Sequence, residues 1–154
     1  MIKNIFVVGS GKGGVGKSTI SVNLAIAMAK KKLNIGLLDA DIYGPSIPKM
    51  LGITSKPEVS KNKKILPYDK YDIKSISIAN MIPDNNAVIW RGAMASSAIR
   101  QLYNDVDWGE LDYLIIDLPP GTGDIQLSIS QNFSILGAVV VSTPQQVSLI
   151  DVRK

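Results

Sequence analysis

Hydrophobic residues fall along the chain in short unbroken runs that alternate with stretches of helical spacing. Ile5, Phe6, Val7 and Val8 form an apolar run of strand length. Ile20, Leu24, Ala27 and Met28 then recur at i, i+4, i+7 and i+8, the spacing of one helix face. Lys30, Lys31 and Lys32 crowd the end of that helix, where cations suit its dipole. Leu33 to Asp39 reads as a second buried strand ending in a carboxylate. Pro45 fits the first turn of a short helix bearing Ile47, Met50 and Leu51. Residues 53–72 are polar, lysine-rich and broken by proline, which predicts a surface excursion. Ile73 to Ile78 alternates as a third strand. A helix after Trp90-Arg91-Gly92 carries Met94, Ala98 and Leu102 on one face. Leu114, Ile115 and Ile116 make a fourth strand that ends at Asp117. Asp124 is placed as the cap of a helix with Ile125, Ile129 and Phe133 inward, Ala138 to Val141 is a fifth strand, and Asp151 opens a last helix. Strands that alternate with helices and carry unbroken apolar runs predict an α/β fold: a parallel sheet with helices on both faces.

The segment between the first strand and first helix reads Gly11-Lys12-Gly13-Gly14-Val15-Gly16-Lys17-Ser18-Thr19. It satisfies G-x-x-x-x-G-K-[ST], and the strand before it and the helix after it supply the required context. Glycines let backbone N–H groups approach phosphate oxygens, and the helix adds its unpaired N-terminal donors. Lys17 is expected on the β- and γ-phosphates, Ser18 on Mg2+, and Thr19 towards the α-phosphate. Lys12 is one lysine more than the pattern needs. The whole of residues 1–154 is expected to be one P-loop domain.

Composition narrows the chemistry. The chain has 154 residues, no cysteine and no histidine. Disulfides, thiolate metal sites and the usual imidazole base are therefore excluded within it, leaving Asp, Glu, Lys, Tyr or substrate phosphate to accept a proton. No apolar run reaches the ~18 residues of a membrane span, and no charged-then-apolar leader opens the chain. The expected setting is cytoplasmic. The net charge of +4 comes largely from Lys30–Lys32 and Lys61–Lys64, which lack interleaved aromatics and read as solvated charge. Neither nucleic acid nor membrane is expected as a partner.

In open parallel sheets ligands bind beyond the carboxyl ends of the strands. Asp39, Asp41 and Asp117 fall there. An aspartate placed like Asp117 holds Mg2+ in P-loop proteins, directly or through water. Asp39 and Asp41 exit the second strand two residues apart and are expected on one side. Asp39 is expected to assist the metal, with Ser18 and Asp117, and Asp41 to orient the attacking water; the alternative for either is capping of the following helix. Asp117-Leu-Pro-Pro-Gly-Thr-Gly-Asp124 reads as a switch whose Gly121 or Gly123 offers an N–H to the γ-phosphate, or as a rigid connector.

Together these residues resemble the deviant Walker A ATPases, whose loop reads K-G-G-x-x-G-K-[ST]. Asp39-Ala-Asp-Ile-Tyr-Gly-Pro-Ser46, Trp90-Arg-Gly92, Val106-Asp-Trp-Gly-Glu-Leu-Asp-Tyr113 and Asp117-Leu-Pro-Pro-Gly-Thr-Gly-Asp124 resemble the Mrp/ApbC family of iron–sulfur cluster carrier ATPases. The resemblance implies an ATP hydrolase that uses Mg2+, works as a homodimer and serves apo iron–sulfur proteins. It implies that Lys12 crosses to the partner's phosphates; the alternative is a lysine serving its own loop. It hints at a site near the dimer face for Trp90 and Arg91, whose alternative is simple packing and surface charge. Members of that family carry a C-terminal Cys-x-x-Cys that bridges the cluster, and the 154 residues contain none. The expectation is a fragment of a longer carrier, with the iron–sulfur cluster bound only in a cysteine-containing form. A ParA/MinD-like positioning ATPase and a nucleotide-gated scaffold with negligible turnover are the rival readings.

Overall fold

The computed structural model describes residues 1–81, 92–121 and 123–145. In chain order the elements are β1 (Ile2–Gly9), α1 (Lys17–Ala29), β2 (Ile35–Asp39), α2 (Ile47–Met50), β3 (Tyr68–Lys70), β4 (Ile73–Ser77), a 3-10 turn (Ile78–Met81), α3 (Gly92–Asp105), β5 (Leu111–Asp117), α4 (Asp124–Asn132) and β6 (Gly137–Val140). The six strands form one sheet in the order β3-β4-β2-β5-β1-β6. All neighbours are parallel except the edge strand β3, which runs antiparallel to β4.

Because successive strand residues face opposite ways, each apolar run feeds two cores. Leu114 and Ile116 of β5 join one cluster with Ala98, Ile99 and Leu102 of α3 and Ile129 of α4. Ile115 joins the other, with Val22, Ala25 and Ala29 of α1 and Ile47 of α2. Helices thus cover both faces, as the unbroken strands predict. Each fully buried Leu or Ile contributes roughly 1.5–3 kcal/mol of transfer free energy.

Register brings the chemistry together. Asp39 of β2 is the Cα partner of Asp117 of β5, and Val8 of β1 is the partner of Asp117 on the other side. Three strands therefore end on one line, with the 10–16 loop leaving β1 beside two aspartates.

Several sequence expectations need correction. The inward stripe of α1 is Ser21, Val22, Ala25 and Ala29, while Ile20 and Ala27 face outward. This helix is apolar nearly all round, so spacing alone allowed two faces; the small residues are the ones packed against the sheet. Likewise α3 buries Ala95 and Ile99 beside Ala98 and Leu102, and Met94 is exposed. The cap of α2 is Ser46 and the proline in its first turn is Pro48, so Pro45 precedes the helix. Gly123, not Asp124, caps α4. The stretch 53–72 is not all excursion: it holds β3 and a bridge between Val59 and Ile65, and Ile65 and Tyr68 pack on the core. Trp108 is core too, its Nε1 donating to the Leu102 carbonyl at 3.3 Å. Trp90, Arg91, Thr122 and Asp151 lie outside the described residues.

Candidate functional site

The loop after β1 turns through two left-handed positions, Gly14 (φ 76°) and Gly16 (φ 92°), which an L side chain rarely adopts. Among the described residues, leaving aside chain neighbours, no heavy atom lies within 4 Å of where a Cβ would sit at either glycine, so the backbone there faces open space. Gly16 is the N-cap of α1. No side chain bonds the helix start and its first turn contains no acid. The first-turn N–H groups and the positive end of the dipole are thus left for an external anion.

A cavity of about 440 Å³ opens over this helix start. Gly13, Gly14, Gly16, Lys17, Ser18 and Thr19 line one side of it; Asp41 and Pro120 close the other. Gly11, Lys12 and Val15 do not line it. Gly11 borders a separate apolar cavity of about 520 Å³ between β1, β6 and α4, which has no charged side chain among the described residues of its wall.

Lys17 is the first residue of α1, and its side chain is only 6% exposed. Its Nζ donates to Asp117 Oδ2 at 2.8 Å and lies 3.5 Å from Asp41 Oδ2. Ser18 Oγ donates to the same Asp117 Oδ2 at 2.6 Å. Ser21, one helical turn beyond Lys17, donates to Asp117 Oδ1 at 2.6 Å. Both oxygens of a fully buried carboxylate are thereby satisfied, one by a cation and a hydroxyl, the other by a hydroxyl alone. The sequence reading missed Ser21. Its signal was a polar residue four positions after Lys17, on the same helix face.

Asp39 and Asp41 do not share one environment. Asp41 lines the cavity, and its Oδ1 accepts the Gly44 N–H at 3.2 Å. Asp39 does not line the cavity. Its Oδ1 accepts the Asp41 N–H at 3.0 Å, and its Oδ2 accepts the Ile47 N–H at 3.4 Å and Ser77 Oγ at 3.2 Å. Burial pushes the Asp39 carboxyl up to about 7; its bond to the Asp41 N–H opposes this, the Asp117 charge adds to it, and Ser77 and Lys17 also oppose it.

Gly121 sits at φ 108°, and its N–H donates to the Ser10 carbonyl at 2.8 Å. Of the two glycines named as a donor to a phosphate, Gly121 is in this structure engaged within the protein. Lys12 contributes its backbone carbonyl to Ser10 Oγ at 2.9 Å.

The residues present fit a hard divalent cation. A hydroxyl and a buried carboxylate converge beside the phosphate cradle, and magnesium takes one or two such protein oxygens with the rest from phosphate and water. Among the described residues no group of three or more His, Cys, Asp or Glu forms a self-sufficient metal cage. Nor, among them, is any helix long and apolar enough to cross a membrane.

Comparison with known proteins agrees with this geometry. The chain is 52% identical over 155 residues to the iron-sulfur cluster transfer protein NUBPL of Mus musculus, covering 99% of this chain and 49% of that protein. It is 51% identical over 154 residues to the iron-sulfur cluster carrier protein of Escherichia coli (strain K12), covering 99% of this chain and 42% of that one. The chain therefore spans about half the length of these curated relatives. Among solved structures, a nucleotide-binding protein of Archaeoglobus fulgidus in complex with ADP superposes with a TM-score of 0.81 at 40% identity, covering 99% of this chain and 60% of that one. MinD of Pyrococcus horikoshii, complexed with Mg-ADP, has a TM-score of 0.67 at 21% identity over 98% of this chain and 62% of that one, a likeness of fold. A family model described as ParA, the NUBPL iron-transfer P-loop NTPases, matches residues 1–154. Its match over the whole chain accounts at once for the sheet, the glycine loop and the aspartates at the strand ends: this chain belongs to that family.

Proposed function

We propose that the chain is the ATPase portion of an iron–sulfur cluster carrier, binding and hydrolysing ATP with Mg2+. The observation that carries this reading is the convergence of Lys17, Ser18 and Asp41 on one cavity, with Asp117 bonded behind Lys17 and Ser18. Gly13 to Thr19 cradle the phosphates through backbone N–H groups. Lys17 leaves Asp117 to reach the β- and γ-phosphates. Ser18 and Asp117 are the groups that would hold the metal, which when bound neutralises charge developing on the phosphates. We assign Asp39 to the loop rather than to the metal, because two of its donors are backbone N–H groups of that loop, whereas Asp117 is held by Lys17 and Ser18, side chains at the cavity that can turn to a ligand. Asp41, at the cavity wall and tied to Gly44, orients the attacking water.

In the same reading the working unit is a homodimer in a cytoplasmic setting, and Lys12 reaches the partner's phosphates. Its absence from the wall of its own cavity supports this. An in-trans cation of that kind is worth ~10³–10⁵ in rate, or roughly 4–7 kcal/mol of barrier. The partners are apo iron–sulfur proteins. The 154 residues contain no cysteine, so thiolate ligands for a cluster have to come from residues outside them.

Phosphate release from Mg·ATP by the full natural protein tests the assignment. Lys17→Ala and Lys12→Ala are each expected to abolish most turnover, and Lys12→Ala to spare ATP binding. Equal rates for wild type and both variants would overturn it.

A further inference from the structure

We infer that Ser21 is a positioning residue for the metal site, holding the Asp117 carboxylate in one orientation while its other partners exchange. This rests on the proposed role of Asp117. Among the described residues Asp117 accepts three side-chain hydrogen bonds. Two of them, from Lys17 Nζ and Ser18 Oγ, fall on Oδ2, and both donors are the groups that nucleotide and metal would recruit. The third, from Ser21, falls on Oδ1 and comes from a residue that does not line the cavity. When Lys17 and Ser18 turn to a phosphate and its cation, Ser21 is the side-chain donor that remains.

The hydroxyl of Ser21 has one proton and two acceptors in reach. A serine inside a helix ordinarily donates to the carbonyl four residues back, here Lys17 at 3.2 Å. The contact to Asp117 Oδ1 is much shorter, at 2.6 Å, as expected of a hydroxyl donating to a carboxylate. Ser21 is fully buried, so no water replaces it. With Oδ1 fixed, Oδ2 is the oxygen presented to Ser18 and the cradle. Without Ser21 the carboxylate is free to rotate once Lys17 departs, and Oδ1 is left without a donor among the described residues.

Outer groups that orient a metal-binding carboxylate typically change metal affinity by ~10–100-fold. The test titrates Mg2+ into the full natural protein with a fluorescent ATP analogue and follows binding, with no turnover required. Ser21→Ala should raise the Mg2+ concentration at half-saturation about tenfold or more. Its affinity for the analogue in EDTA should stay within about twofold of wild type, and Ser21→Thr, which keeps the hydroxyl, should recover most of the Mg2+ response. Asp117→Asn is the control for the underlying reading. If Asp117→Asn shifts the Mg2+ requirement and Ser21→Ala does not, Ser21 has no positioning role. If Asp117→Asn leaves the requirement unchanged, the metal assignment itself fails. Equal loss with and without Mg2+ in Ser21→Ala marks a packing role alone and overturns the inference. Should Ser21→Thr not fold, the paired Mg2+ and EDTA titrations of Ser21→Ala decide the matter.

Discussion

Asp39 and Asp117 end adjacent parallel strands, stand in register, and are both fully buried, yet their surroundings differ in kind. Asp117 meets an ammonium and two hydroxyls. Asp39 meets two backbone N–H groups and one hydroxyl. The first setting is built around charge; the second shapes a loop and leaves burial to dominate the carboxyl, pushing it up to about 7. The comparison teaches that strand position brings an aspartate to the site, while its donors decide what it does there.

The largest test removes the cation. Lys17→Ala leaves the Asp117 carboxylate buried without its ion pair, and such losses cost roughly 3–5 kcal/mol. Denaturant unfolding should show a midpoint shift of that order; an unchanged midpoint would mean that Ser18 and Ser21 alone satisfy Asp117.

Next comes pH. The Asp39 carboxyl has a folded value of about 7 against an ordinary 3.8. Between these values the native state keeps a proton that the unfolded chain gives up. Its contribution therefore favours folding at low pH and is lost as pH rises from about 4 to 7, by at most about 4 kcal/mol. Urea midpoints across that range should fall more steeply in wild type than in Asp39→Asn. Parallel slopes would mean that burial does not govern the Asp39 carboxyl.

A smaller effect probes the contact between the two strands. At Gly36 of β2 a Cβ would come within 2.9 Å of Leu114 and closer still to Leu111, both on β5. Gly36→Ala is expected to cost roughly 1–3 kcal/mol by overpacking, read as a lower melting temperature. The smallest is Ser77→Ala, which removes one donor from Asp39 and the acceptor of the Ala79 N–H. About 1 kcal/mol of stability should go, with ATP binding unaltered if Asp39 serves the loop alone.

Much of this was legible in the chain. Unbroken runs such as Leu114 to Ile116 announce a strand buried on both faces, and the glycine loop announces its own chemistry by spacing. The inward face of α1 was not legible, because a helix with apolar residues all round carries no direction until the sheet selects Ala25 and Ala29. Nor was β3, three mostly exposed residues whose pairing with β4 is a tertiary fact. The different surroundings of Asp39 and Asp41 were hidden for a related reason. Alternation applies only while the strand continues, and β2 ends at Asp39. Ser21 left only a faint signal, its place one turn after Lys17, because serine in a helix usually bonds its own backbone.

The two apolar clusters, one against α1 and α2 and the other against α3 and α4, have a consequence for redesign. The sheet acts as an insulating wall. Val22 on one side and Leu102 on the other share no cluster, so their substitutions should combine additively to within about 0.5 kcal/mol. Residues of one layer, such as Ile99 and Leu102, have to be exchanged as a set. The outer layer of α3 and α4 can therefore be rebuilt for another purpose while α1, which begins at the glycine loop, keeps its seat.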